Sequence, residues 1–441
     1  MIRKLIFVAV ALAVLAGVAL FVGCQTAPAP VETGIGTSPF LPAPEHKLIP
    51  TVNVATAQAW PSGTQPVAAQ DLQVNEFAKD LDHPRWLYVL PNGDVLVAES
   101  NSPRELDGIK GIKGFVAKRI MQKAGAGTPS ANRITLFRDT DNNGVAEIRS
   151  VFLSDLNSPF GMVLIRDILY IANTDGIVTV NYQDGDVTAN NQPAAFFTFP
   201  SGGLNHHWTK NLIASADGSK LYASVGSNSN VGENGMQAEQ GRAAIWEIDV
   251  ASGEGRIFAT GILNPVGMDF GPDGNTLFTV VNERDELGDN LVPDYLTSVK
   301  DGGFYGWPYS YFGQHVDVRV TPQKPELVAQ AIVPDYALGS HTASLGLAIT
   351  DGTQPGMGSH FGAGAFIGQH GSWNRKPRSG YKVIFVPFDN GMPQGKPVDV
   401  LGGFLVKDIA RGRPVGVVFD HHGALLVADD VGNRVWRVTV K

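Results

Sequence analysis

The chain has 441 residues, 43% of them hydrophobic and only 17% charged; 34 Lys and Arg against 42 Asp and Glu leave a formal charge of −8. The apolar share suffices for a large core and excludes disorder as the main state, while 51 glycines and 28 prolines in so weakly charged a chain exclude a helix bundle or coiled coil. The acidic balance excludes a nucleic-acid binder, which needs a basic footprint to meet phosphates.

In chain order, Arg3 and Lys4 precede an uninterrupted apolar run from Leu5 to Val22, and Gly23-Cys24 follows. A short positive region before an apolar one is the pattern of an export signal. Leu20-Phe21-Val22-Gly23-Cys24 has the spacing of a lipobox, with Phe21 where leucine is usual. Residues 1–23 are therefore expected to be a lipoprotein-type signal peptide, with Cys24 as the lipid-bearing thiol. An uncleaved membrane anchor and a plain cleaved signal are the alternatives. Each places the folded part outside the cytoplasm. The expectation is an exported protein, lipid-anchored to the cell envelope, with its domain in the periplasm or at the cell surface. Cys24 is the one cysteine, so the chain has no disulfide framework. Residues 24–69, rich in Ala, Pro and Thr without a sustained period, are expected to form a flexible tether.

From about residue 70 onward one pattern recurs six times: a polar lead-in, a proline or small residue, an apolar strand, a Gly turn and a second apolar strand. The copies are anchored at Pro84, Pro159, Thr209, Pro265, Ser344 and Pro414; the third lacks the proline and the fifth has a longer gap before its second strand. Their spacing of 50 to 79 residues leaves room for a four-stranded blade of about 40–50 residues plus loop insertions. A small antiparallel sheet cannot bury its faces alone, whereas several packed radially can. The expected fold is all-β, a six-bladed β-propeller over 70–441, with Leu72 to Phe77 as the strand that closes the ring. Only 101–132, with its GIKGFVAKRIMQKAGAG, reads as partly helical.

Equivalent residues of a propeller stand at equivalent heights. The residues just before each first strand, His83, Asn157, His207, Asn264, His341 and Arg413, are thus expected to ring one mouth of the channel. Convergent polar groups at a concave mouth make the default site. His207, in His206-His207-Trp208-Thr209, suits a general base, the alternative being a histidine bonded to a neighbouring loop. Asn282 to Asn290 carries Glu283, Asp285, Glu286 and Asp289, which suits a hard cation such as Ca2+ or a solvated acidic loop. Asp139-Thr140-Asp141-Asn142-Asn143-Gly144 imitates the start of an EF-hand, but Ser150 stands where the closing glutamate belongs, so a turn is expected. Trp373 beside Arg375, and Arg411-x-Arg413, suit a flat anionic ligand. The Gly run at 362–368 has the wrong spacing for a dinucleotide fingerprint. No Walker loop, zinc cluster or Gly-x-Ser-x-Gly elbow occurs.

Several longer segments add a resemblance. GGLNHHWTKNLIASADGSKLYASV at 202–225, EQGRAAIWEID at 239–249, RDELGDNLVPDYLT at 284–297, GGFYGWPYSY at 302–311, GSWNR at 371–375 and GRPVGV at 412–417 together resemble the sorbosone dehydrogenase family, related to soluble quinoprotein glucose dehydrogenases. The matches run in order over about 70–441. The resemblance implies a six-bladed propeller that holds pyrroloquinoline quinone (PQQ) at the channel mouth with Ca2+ assisting, and that oxidises sugars or other alcohols and aldehydes. It makes His207 the general base and Asn264 a cofactor contact. It offers Arg375, Arg411 and Arg413 to the quinone carboxylates and Trp373 to its ring face, and it places Ca2+ near Asn282, Glu283, Asp285 and Asp289. One departure matters: the family commonly has Leu-Arg-Asn-Pro where this chain has Ile262-Leu263-Asn264-Pro265. The missing arginine would steady charge growing on the quinone oxygen, and Arg284 is the candidate substitute.

The expected partners are a small sugar or aldehyde substrate, an electron acceptor that the sequence does not specify, and a membrane through the N-terminus. A non-catalytic envelope propeller that binds glycans or proteins is the alternative. A metal-dependent lactonase on the same architecture would want carboxylates around the axis, and the ring is mainly His, Asn and Arg.

Overall fold

The computed structural model describes residues 29–45, 51–103, 122–125 and 127–441. The expected signal at 1–23, Cys24 and much of the partly helical stretch at 101–132 lie outside the described residues. Within them the chain is all-β with few helical segments, among them the short α-helices Pro325–Val328 and Met357–Phe361. No helix among the described residues is long and apolar enough to cross a membrane.

The repeated strand pairs fold as their alternation demands. Pro84–Val89 pairs antiparallel with Val95–Glu99 across the PNGD turn, where Gly93 takes φ 93°, a left-handed conformation open to glycine. The same hairpin recurs at Met162–Ile165/Ile168–Ala172, Leu212–Ala214/Lys220–Val225, Pro265–Phe270/Leu277–Val281, Ser344–Asp351/Ala363–Gln369 and Pro414–Phe419/Leu425–Asp429. The long gap of the fifth copy is filled by the helix Met357–Phe361. Each hairpin extends outward, so that six sheets of four or more strands stand among the described residues. The first strands touch in a closed cycle, each meeting the next and Pro414–Phe419 returning to Pro84–Val89.

The glycine two residues after the proline has a steric reason. A Cβ on Gly267 would stand 2.7 Å from the Leu345 carbonyl oxygen of the next sheet, and one on Gly416 2.9 Å from that of Arg85. Backbone therefore packs directly on backbone between neighbouring first strands. Trp86, Phe160, Val266, Leu345 and Val415, from the first-strand segments of five sheets, belong to one buried cluster. They give the centre an apolar floor, and the polar residues just before these strands lie beside it. The last sheet is completed by Leu72–Ala78, which pairs with Arg434–Val440 as the sequence leads one to expect.

The tether expectation is corrected over its described part. Ile35–Gly36 adds to the sheet of Tyr336–Ser340, Thr56–Ala57 runs parallel to Ile409–Ala410, and Val67–Ala68 adds to the fifth sheet. Val54, Ala55 and Trp60 are buried, and the Trp60 indole donates to Asp429 at 2.7 Å. The Pro, Ala and Thr content without a sustained period suggests a solvated linker, and Phe40, Val52 and Val67 are indeed exposed; Val54, Ala55 and Trp60 dock instead.

Candidate active site

His207 sits in the turn before Leu212–Ala214. Its Nδ1 lies 2.9 Å from the Ser227 carbonyl oxygen and 3.0 Å from Ser227 Oγ. The Ser227 hydroxyl itself donates to the Ser229 carbonyl at 2.7 Å, so both neighbours of Nδ1 act as acceptors. The ring proton therefore sits on Nδ1, and Nε2 keeps its lone pair. Burial holds the His207 pKa well below its usual value, helped by His206, Arg242 and Lys210, against the Ser227 carbonyl. A neutral imidazole with an open Nε2 is what a general base requires.

Asn264 stands beside it. A Cβ on Gly226 would collide with both Asn264 Oδ1 and the His207 side chain, so this glycine lets the two approach. Asn264 is buried and its Oδ1 has no hydrogen-bond partner. A buried orphan acceptor costs about 1–3 kcal/mol unless a ligand meets it.

A second group gathers around Asp430. Its Oδ2 lies 2.5 Å from Arg85 Nη1, 2.8 Å from His370 Nε2 and 3.4 Å from His83 Nε2. Burial opposes ionisation of Asp430, but His370, His83 and Arg85 outweigh it and hold the carboxyl far below the usual range. Burial lowers the His83 pKa to about 4, against the pull of Asp430, and lowers that of His370 as well. The Arg85 guanidinium also stands 5.7 Å from the Trp208 ring centre and 6.0 Å from that of Phe160. Arg413 lies over the Tyr381 ring at 4.8 Å and donates one bond, to the Gly371 carbonyl at 3.2 Å. Its Nε and Nη2, and Arg85 Nε, are buried without partners. Three open donors on two guanidiniums, only one of which is paired with a carboxylate, suit an anion.

A third cluster centres on Asp285, whose Oδ1 meets Asn374 Nδ2 at 2.6 Å and His341 Nδ1 at 3.3 Å. Burial would lower the His341 pKa; the Asp285 carboxylate prevails and raises it.

Other expected residues are placed differently. Arg284 is fully buried, and its donors serve Glu283, Asp317 and the carbonyls of Pro308 and Ser310. It locks a buried charge network, which corrects both its expected cofactor contact and its candidacy to replace the missing arginine. Leu263 is buried with Ala243 and Trp307. Arg411 reaches the Ala59 carbonyl at 3.3 Å, on the N-terminal segment, and so parts from Arg413. Arg375 is buried and bonded to the Pro377 carbonyl at 2.7 Å and to Asn290 at 3.4 Å. Trp373 is 45% exposed.

The expected metal ligands do not converge. Glu283 binds Arg284, Asp285 binds His341 and Asn374, and Asp289 accepts from Thr51 Oγ1 at 2.6 Å and the Lys376 amide at 3.3 Å. Asn282 gives its amide to the Asn264 carbonyl. Among the described residues the one carboxylate group within metal-binding reach is Asp139, Asp141 and Glu147, within 4.8 Å of one another on an exposed turn whose own amides they accept.

Reading only the lead-in residues missed Arg85, His370 and Asp430. For His370 and Asp430 the signal was available one strand later, whereas Arg85 follows Pro84 on the first strand itself. The second strands end at Glu99, Asn173, Ser227, Asn282, His370 and Asp430, at or just past the pairing that returns the chain to the same mouth.

Comparisons with known proteins agree with this architecture. A protein of Borreliella burgdorferi, itself uncharacterised, is 28% identical over 294 residues, 64% of this chain and 76% of its own length. A pyrroloquinoline quinone-dependent pyranose dehydrogenase of Coprinopsis cinerea is 26% identical over 250 residues, 47% of this chain but 33% of the relative's length. The solved holo form of the PQQ domain of the Coprinopsis cinerea pyranose dehydrogenase superposes with a TM-score of 0.68 at 21% identity, covering 88% of this chain and 100% of that domain. The homology is to PQQ-dependent sugar dehydrogenases in general; none of these matches singles out the sorbosone type. A TrAA12-like family model matches residues 326–441. A second model, described as a domain of unknown function, DUF7133, matches residues 115–370, more than half of the chain, and the protein belongs to that family.

Proposed function

We propose that the protein is a six-bladed β-propeller oxidoreductase that uses PQQ to oxidise a sugar-like alcohol or aldehyde, with His207 as general base. The observation that carries this reading is the open Nε2 of a neutral His207 beside the orphan Oδ1 of Asn264. Arg413 and Arg85 fit the anionic cofactor, since they hold buried donors with nothing to bind; PQQ bound there would supply the two-electron acceptor for hydride. His207 Nε2 takes the substrate hydroxyl proton, and Asn264 orients the reacting group. The buried apolar cluster of Trp86, Phe160, Val266, Leu345 and Val415 would exclude water from the centre were the cofactor bound. Asp430 balances part of the positive charge and fixes the Arg85 and His370 side chains. The carboxylates of 283–289 are committed elsewhere, so no step is assigned to Ca2+.

With Leu263 in place of the family's arginine and Arg284 fully bonded, one charge-stabilising donor is missing. Losing such a donor typically costs about 10²–10³ in rate, which leaves an active enzyme, a slow one or a cofactor binder without turnover for the assay to distinguish. The N-terminal pattern adds that the protein is exported and lipid-anchored through Cys24, which puts its electron acceptor in the envelope. The test is to supply purified protein with PQQ and screen aldoses and alcohols with a redox dye. A PQQ absorbance shift with substrate-dependent dye reduction supports the reading; neither appearing removes it.

A further inference from the structure

Lys210 is one of the least exposed residues of the molecule, at 0%. No carboxylate pairs with it among the described residues. Its Nζ lies 3.0 Å from the carbonyl oxygen of His207, 3.1 Å from that of Trp208, 3.4 Å from that of Thr209 and 3.4 Å from Asn205 Oδ1. Burial and the neighbouring Arg242 hold the Lys210 pKa well below its usual value, against the pull of Asp175. The geometry opposes them, because four acceptors surround a group that offers three protons as an ammonium and two as an amine, and so fit the charged form. A methionine would fill a similar volume without burying a charge, so packing alone does not call for lysine here.

The surroundings show what the charge does. The three carbonyls belong to consecutive residues, 207 to 209, which wrap around one cation. Asn205 Nδ2 donates to Thr174 Oγ1 at 2.7 Å, and Thr174 Oγ1 donates to the Trp208 carbonyl at 2.9 Å, closing the turn from its other side. Arg242 Nη2 reaches the same His207 carbonyl at 3.0 Å. The main chain of the candidate base is thus clamped between two buried cations, while its side chain stays open at Nε2.

We propose that Lys210 is the positioning residue of His207: its ammonium folds 205–209 into one turn and so fixes the direction in which Nε2 points. This rests on His207 being the base. The same charge disfavours a proton on the ring. The other charged and titratable groups near His207 are His206 from its own turn and Arg242 from the segment before Ala244–Asp249; Asp285 and Glu233 act on His206, Asp175 on Lys210 and Glu239 on Arg242.

The test uses the full chain with Lys210→Gln, Lys210→Arg and Thr174→Val. The His207 imidazole is titrated by NMR without cofactor and assigned by its loss in His207→Gln. PQQ affinity, kcat and KM are then measured on the same proteins. Lys210→Gln is expected to raise the His207 pKa and to lower kcat about 10²-fold, with KM and PQQ affinity within about threefold. Lys210→Arg restores most of the pKa and part of kcat. Thr174→Val, which leaves every charge in place, lowers kcat about tenfold with KM unchanged, so it decides the matter if Lys210→Gln does not fold. An unchanged titration and kcat in Lys210→Gln, an unchanged kcat in Thr174→Val, or parallel losses of kcat and PQQ binding would overturn the proposal. If wild-type protein binds no PQQ the functional reading fails, and the titration still decides whether Lys210 governs His207.

Discussion

Two sides of one mouth are built on opposite principles. Around His207 and Asn264 the open atoms are acceptors, Nε2 and Oδ1, on neutral side chains. Around Asp430 the open atoms are mostly donors, on the guanidiniums of Arg85 and Arg413. Burial lowers the pKa of histidines on both sides, but the local charge differs. On one side two cations press on a histidine that has no acid partner; on the other a carboxylate is shared by two histidines and an arginine. On the proposed function this difference is a division of labour: one side would take a proton, the other would hold a negative charge.

The largest effect that would break this comparison comes from His207→Ala. It is expected to lower kcat about 10²–10⁴-fold, read by steady-state dye reduction, while leaving PQQ affinity within about twofold. Arg413→Met attacks the other side. Losing one guanidinium with two open donors should weaken PQQ binding about 10–100-fold by calorimetry, with little change in kcat at saturating cofactor.

A pH experiment separates the sides by stability. The folded-state pKa of His83 is about 4, below its unfolded value near 6.5, so the unfolded chain binds the extra proton in that window. Stability on this account is full above about pH 6.5 and is lost as pH falls towards 4. His83→Gln should therefore flatten the decline in chemical-denaturation stability between pH 7 and 5 by roughly 2 kcal/mol. A decline as steep as in wild-type protein would show that His83 is not held neutral. The smallest effect sharpens the contrast within one motif: Arg411→Ala, at the N-terminal segment, should change PQQ affinity less than about twofold.

Much of this was legible in the sequence because the repeat is a register. Pro265-Val266-Gly267 and Pro414-Val415-Gly416 mark where each sheet begins, and the lead-in residues could be read off as a ring. His207 and Asn264 came out side by side for that reason. Pairings across the mouth were not legible. Asp430 lies one strand beyond the positions read and meets His370 and Arg85 from two other sheets. The acidic run of 282–290 misled in the opposite direction. Closeness in sequence suggested a shared cation, yet Glu283, Asp285, Asp289 and Glu286 turn to different neighbours, Arg284, His341, Thr51 and Arg319. The pairing of Arg411 with Arg413 failed for a related reason, since Arg411 turns to the Ala59 carbonyl while Arg413 stays at the mouth.

On this reading, proton acceptance and anion holding are separable functions of two sides of the same mouth. The most direct measurement is a calorimetric titration of PQQ into wild-type, His207→Ala and Arg413→Met protein, followed by dye reduction on the same samples. The account predicts equal affinity but lost turnover in His207→Ala, and weakened affinity in Arg413→Met. Loss of binding in His207→Ala, or wild-type affinity in Arg413→Met, would contradict it.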